Sequence, residues 1–178
     1  MDKKLTKISK FMSLVLRHKP ETISLVLNEA GWGSVEKLLR GCNITLQELE
    51  YIVENDNKKR YEFNSDKKLI RASQGHSINV DLGYSSKTPP EILYHGTVER
   101  NSDSILRNGL NKMGRIHVHL SGDEETAINV GRRRGNPVIF EVSALKMYHD
   151  GHIFYISTNG VWLTEKVPKE YLYVKETK

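Results

Sequence analysis

A chain of 178 residues holds one large domain or two small ones, and 38% hydrophobic with 28% charged residues describes a globular protein, not a disordered segment or a fibre. The net charge of +5 is spread along it, with 14 basic against 11 acidic residues up to Tyr84 and 13 against 11 beyond, so neither half is a basic tail. No apolar run approaches the roughly 18 residues of a membrane span, the start MDKKLTKISK lacks the apolar core of a signal peptide, and the single Cys42 excludes an intramolecular disulfide; a cytoplasmic location is the expectation.

In chain order, Leu5, Ile8, Met12, Val15 and Leu16 recur at helical spacing and Pro20 stops the pattern, which predicts an amphipathic helix over 4–18. Arg17 and His18 fall in its last turn, where cations complement the helix dipole by about 0.3 to 1 kcal/mol. Gly31 and Gly33 frame Trp32 as a turn, and Ser34 caps a short helix carrying Val35, Leu38 and Leu39. Thr45 and Glu48 have the capping-box spacing ahead of Leu46, Leu49, Ile52 and Val53. RYEF, NSDKK and LIRA read as a hairpin around a polar turn. Three helices and a hairpin outline a winged-helix module, a design used for nucleic acid and for protein contact alike. Lys58, Lys59, Arg60, Lys67 and Lys68 bracket the hairpin, either as phosphate contacts or as a solvated face.

Residues 73–90, rich in Ser, Gly and Pro, read as a join. Beyond Pro90 come the extended runs ILYHGT, IHVHLS, PVIFEV, FYIS, VWLT and YLYV, with helical stretches SDSILRNGL and EETAINVGRRRG between them. The predicted fold class is α+β: a first lobe over 1–84 and a strand-rich second lobe over 85–178.

Four groups of residues could carry chemistry. His95, Gly96 and Thr97 end an apolar run, where a glycine lets a ligand approach the backbone and a hydroxyl is at hand. His117 and His119 share one face of a strand, which raises zinc, but supporting ligands at familiar spacing are missing and His149 and His152 fall in a polar loop. In GRRRG, residues 131–135, successive helical positions point about 100 degrees apart, so three guanidiniums address one ligand only if the helix has unwound. Arg71 faces opposite to Ile70 and Ala72, which leaves it to point toward the second lobe.

The motifs SKFMSLVLRHKP, IRASQGHS, TPPEILYHGT, HVHLS, VGRRRGNPV and NGVWLT occur in the order found in KptA-type RNA 2′-phosphotransferases, and the chain resembles that family over nearly its whole length. The resemblance implies a winged-helix-like first lobe for RNA and an ADP-ribosyltransferase-like second lobe for NAD. It implies an enzyme that transfers an internal RNA 2′-phosphate to NAD, consumed as cosubstrate; with supporting ligands missing around His117 and His119, no metal is expected. Carried over by motif, the catalytic residues are Arg17, His18, Arg71 and Arg133, with Arg134 where the family often has His. The NAD-binding residues are His95, Gly96, Thr97, His119, Leu120 and Ser121. Val161 stands where many protein-modifying ADP-ribosyltransferases have Glu, which points away from protein as the acceptor. On this reading Arg17 and His18 project into a cleft between the lobes, and the partner is RNA bearing an internal 2′-phosphate, bound by a monomer. The competing readings are an ADP-ribosyltransferase that caps phosphorylated nucleic-acid ends, a non-enzymatic winged-helix regulator and a metal-dependent hydrolase.

Overall fold

The first apolar stripe folds as α1 (Lys3–Arg17) in a computed structural model that describes residues 3–175. Met12, Val15 and Leu16 on its inner face are fully buried, each such side chain contributing about 1.5 to 3 kcal/mol. A 3₁₀ turn at Pro20–Ile23 ends the run, because proline starts a new turn easily but cannot continue the old helix. Next come β1 (Gly33–Ser34), α2 (Val35–Cys42) and α3 (Leu46–Glu54). The Ser34 side chain accepts the Lys37 backbone N–H, and Thr45 with Glu48 forms the reciprocal capping box that its spacing predicts. The hairpin is β2 (Tyr61–Phe63) and β3 (Leu69–Ala72), and β1 adds to its other side in the antiparallel order β1-β3-β2. The Tyr61 hydroxyl reaches the Ser9 carbonyl and the Ser13 hydroxyl on α1 and so ties hairpin to helix. Gly33 pairs with Ile70 inside a strand, so the turn expected around Trp32 is confined to the residues before it.

Further along lie β4 (Leu93–Val98), α4 (Glu99–Asn108), β5 (Leu110–Asn111), β6 (Val118–Leu120) and α5 (Glu124–Gly131), the last continued by a 3₁₀ turn at Arg132–Arg134. They are followed by β7 (Pro137–Val142), α6 (Ala144–His149), β8 (Phe154–Ile156), β9 (Trp162–Thr164), β10 (Lys166–Val167), a 3₁₀ turn at Lys169–Tyr171 and β11 (Leu172–Lys175). Two three-stranded antiparallel sheets, β11-β7-β4 and β6-β9-β8, enclose a core that includes Leu93, Leu120, Phe140, Met147, Phe154 and Trp162. They are stitched where Tyr94 and Ser121 exchange both backbone hydrogen bonds, at 2.9 and 2.8 Å. His149 closes α6 and does not lie in the expected loop, since six residues are too few to show a period.

The described chain is thus α+β, six α-helices with small antiparallel sheets, and it separates into two compact units at Gly83 and Tyr84. Tyr84 belongs with the second, its ring edge-on to His117 at 6.2 Å. Residues 73–90 are not a slack join. Asp81 N–H donates to the Glu29 carbonyl at 2.7 Å in the first unit, and Lys87 N–H to the Phe154 carbonyl at 2.8 Å in the second. No helix among the described residues is long and apolar enough to cross a membrane.

Candidate functional site

In the first unit, the segment after β3 folds back over the end of α1. Ser77 N–H donates to the Arg17 carbonyl at 2.9 Å, satisfying one of the carbonyls that a helix end leaves open. The Ser77 hydroxyl shares a 2.9 Å hydrogen bond with His18 Nδ1. Between these contacts Gly75 takes a φ of +88°, a left-handed conformation suited to glycine, and its backbone lies so close that an ideal Cβ there would be 3.7 Å from Arg17 Nη1.

Arg71 is not left to point outward. The register of the hairpin sets Glu62 directly across from it, and Arg71 Nε donates to Glu62 Oε1 at 2.6 Å. Its Nη1 donates to the Ala30 carbonyl at 3.2 Å, and its guanidinium lies 4.4 Å from the centre of the Trp32 ring. Against these residues sits His76, 1% exposed, its pKa pushed down to about 4 by burial first and then by the charges of Arg17, His18 and Arg71. Arg17, His18 and Arg71 therefore meet around one neutral ring.

Four of the hairpin cations have partners within the first unit. Arg60 pairs with the buried carboxylate of Asp56, Lys67 with Glu50 at 2.7 Å, Lys68 with Asp66 at 3.7 Å, and Lys59 Nζ donates to the Glu54 carbonyl. Those contacts favour the solvated-face reading over phosphate contact.

In the second unit, β4 and β6 bring His95 and His119 together. A carbonyl only accepts, so His95 Nδ1 donates to the His119 carbonyl at 3.2 Å, and the ring keeps an acceptor lone pair on Nε2. Burial, with Arg115 nearby, holds the His95 pKa below its ordinary value against the opposing pull of that carbonyl. Arg115 Nη1 donates to His119 Nδ1 at 3.2 Å, so the hydrogen of that ring sits on Nε2. Thr97 is buried and its hydroxyl accepts from Asn101 Nδ2 at 3.1 Å. Leu120 points into the core, and Ser121 serves the backbone bridge to Tyr94.

Gly96 has a packing reason of its own. An ideal Cβ there would lie 1.8 Å from the Ala127 carbonyl oxygen, so the bare backbone admits helix α5. Past Gly131 the helix tightens into the 3₁₀ turn Arg132–Arg134, in which the side chains of Arg132 and Arg133 point about 120 degrees apart. Arg132 and Arg133 are exposed there. His117 precedes β6, so it does not share a strand face with His119 as expected, and its ring packs edge-on against Tyr84 and Tyr155. Among the described residues no three His, Cys, Asp or Glu groups gather as a metal site.

Four residues of the first-unit cluster escaped sequence reasoning: Trp32, Glu62, His76 and Ser77. The available signal was the glycine before His76 in SQGHS, a turn residue beside a histidine directly after a strand.

A family model described as RNA 2′-phosphotransferase, Tpt1/KptA family, matches residues 3–166. A protein of Flavobacterium johnsoniae is 53% identical over 173 residues, 94% of this chain and 95% of its own length. One from Hahella chejuensis is 52% identical over 182 residues, covering 99% and 98%. A third, from Streptomyces coelicolor, is 48% identical and covers 93% of each chain. All three are described as probable RNA 2′-phosphotransferases.

Proposed function

The chain belongs to the RNA 2′-phosphotransferase, Tpt1/KptA family, and from that membership we propose that it removes an internal 2′-phosphate from RNA with NAD⁺ as the consumed cosubstrate. The observation that carries the reading is the match across 3–166, with relatives of the same description along almost the entire chain. We read the first unit, with its order β1-β3-β2 beside three helices, as a winged-helix lobe that takes RNA, and the second as an ADP-ribosyltransferase-like lobe that takes NAD⁺. The same reading has the enzyme act as a cytoplasmic monomer without a metal.

Arg17, Arg71 and Arg133 are assigned to the phosphate, because guanidinium forks bind its oxygens in pairs. A phosphate monoester carries about −1.5 to −2 charges near neutral pH and attacks without a general base. One of its oxygens bonds to the ribose carbon bearing nicotinamide as the bond to the nicotinamide nitrogen breaks, and nicotinamide leaves with that electron pair. The neighbouring ribose hydroxyl next bonds to phosphorus while the bond to the RNA 2′-oxygen breaks. The proton given up by the first oxygen ends on the second, leaving 2′-hydroxyl RNA and ADP-ribose 1″,2″-cyclic phosphate. Arg71 and Arg133 stabilise the charge that grows on the phosphoryl oxygens. His18 orients the attacking hydroxyl or carries its proton.

His95, Gly96, Thr97, His119, Leu120 and Ser121 are assigned to NAD⁺. The fixed tautomer of His95 supports this: its Nε2 lone pair accepts a hydrogen bond such as a ribose hydroxyl donates, and neutrality keeps it an acceptor. Among these residues Leu120 acts through its backbone, its side chain being core.

The test is incubation with NAD⁺ and an RNA carrying one internal 2′-phosphate, with products resolved by mass. Nicotinamide, 2′-hydroxyl RNA and the cyclic phosphate are expected. A stable ADP-ribosyl adduct would reassign the protein to end capping, and no nicotinamide release at all would overturn the proposal.

A further inference from the structure

His76 is 1% exposed, yet neither Nδ1 nor Nε2 has a hydrogen-bond partner among the described residues. A buried, unpaired polar atom costs about 1 to 3 kcal/mol, which an apolar side chain there would not incur. The site of that expense is specific. Gly75, just before His76, lies against the Arg17 guanidinium; Ser77, just after, binds His18 and the Arg17 carbonyl. On another side Gly31 comes so near that an ideal Cβ there would be 3.6 Å from His76 Nε2, and the adjoining Ala30 carbonyl holds Arg71. The two residues flanking His76, together with Ala30 beside Gly31, thus meet the three side chains Arg17, His18 and Arg71.

We propose that His76 is a positioning residue of this cluster, a neutral ring whose shape and lone pair set the spacing of Arg17, His18 and Arg71. The physical reason is electrostatic. An imidazolium there would add a further positive charge beside the guanidiniums of Arg17 and Arg71 in a poorly solvated place, whereas a neutral imidazole can turn the negative end of its dipole toward them. The charges that face it, Arg17 and His18 from α1 and Arg71 from β3, all act in that direction together with burial. No apolar ring supplies the lone pair, and no carboxylate supplies it without a charge that would compete with a bound phosphate.

The inference rests on the reading that Arg17, His18 and Arg71 act on phosphate, and the experiment separates the two. In the full chain, His76→Phe keeps a flat ring and removes the lone pair, while His76→Gln keeps an acceptor. The Phe variant should melt no lower than the parent and lose on the order of tenfold to a hundredfold in kcat/KM for 2′-phosphorylated RNA, a loss typical of misplaced groups. The Gln variant should recover part of it. With histidine labelled by ¹⁵N, the parent's His76 should show one protonated and one bare ring nitrogen at pH 7, and the His18 ring signals should move in the Phe variant. Unchanged turnover in that variant, unmoved His18 signals, or a charged His76 in the parent would each overturn the proposal. The parent spectrum decides even if the Phe variant does not fold. Normal turnover in Arg17→Ala and Arg71→Ala would instead sink the catalytic reading, with the His18 response still reporting whether His76 positions its neighbours.

Discussion

The two units solve opposite electrostatic problems. In the first, three cationic or protonatable side chains gather at the end of α1 and on β3, and the fold surrounds them with carbonyls, a carboxylate, an aromatic face and one neutral ring. In the second, the candidate residues stand on paired strands, their rings locked by a carbonyl and a guanidinium into defined neutral tautomers. The first arrangement is the one we propose for a multiply charged phosphate and the second the one we propose for a sugar, whose hydroxyls want acceptors and donors in fixed places. The contrast also explains where each unit uses glycine. Gly75 lets a loop reach a guanidinium, and Gly96 lets a helix reach a strand.

The contrast breaks most visibly at Arg71. Replacing it with alanine should cost on the order of 10² to 10³ in kcat, the usual loss when one stabilising donor is removed. RNA with ADP-ribose on its 2′-phosphate should accumulate, which mass spectrometry of the RNA would detect; normal turnover contradicts the assignment. Gly96→Ala strikes the other unit. The new methyl must displace the Ala127 carbonyl, so about 3 kcal/mol of stability should be lost there. The two tryptophans lie one in each unit, and urea melts of Trp32→Phe and Trp162→Phe backgrounds should show the loss through Trp162 and not through Trp32.

Acid sharpens the comparison. His76 takes up its proton near 6.5 when unfolded and near 4 when folded, so falling pH favours the unfolded first unit. Its contribution is complete above pH 6.5 and is lost on the way down to about 4, about 3 kcal/mol in all. His95, also shifted down, adds a loss of the same sign in the second unit. Melting temperature followed from pH 7.5 to 4 should fall, and His76→Phe should flatten the part reported by Trp32. The smallest effect is Thr45→Ala. It removes the capping-box oxygen of α3 and should lower the first unit by about 1 kcal/mol, read from the same urea melts.

Local signals carried much of the fold. The apolar spacing of α1, the Thr45 and Glu48 cap and the polar turn of the hairpin each lie within a few residues, and each element formed there. The two-residue strands β1, β5 and β10 have no period to detect, and the six residues of α6 hardly more. For the candidate site, LRHKP and IRASQGHS drew attention to Arg17, His18 and Arg71. Nothing local marked Glu62 as the partner of Arg71, because cross-strand pairing depends on register. His76 sat in a polar stretch that reads as surface and is buried instead.

By itself the amino-acid order determined α1, α2 and α3, the caps at Ser34 and Thr45, the motif sequence and with it the family, since all of these are written in spacings along one strand of text. Tertiary structure alone decided the state of each polar atom. His18 meets Ser77 from 59 positions away and Arg71 meets Ala30 from 41, and it is such distant partners that hold a guanidinium, choose a tautomer or keep a histidine neutral. Charge and protonation answer to neighbours in space, and only folding supplies them.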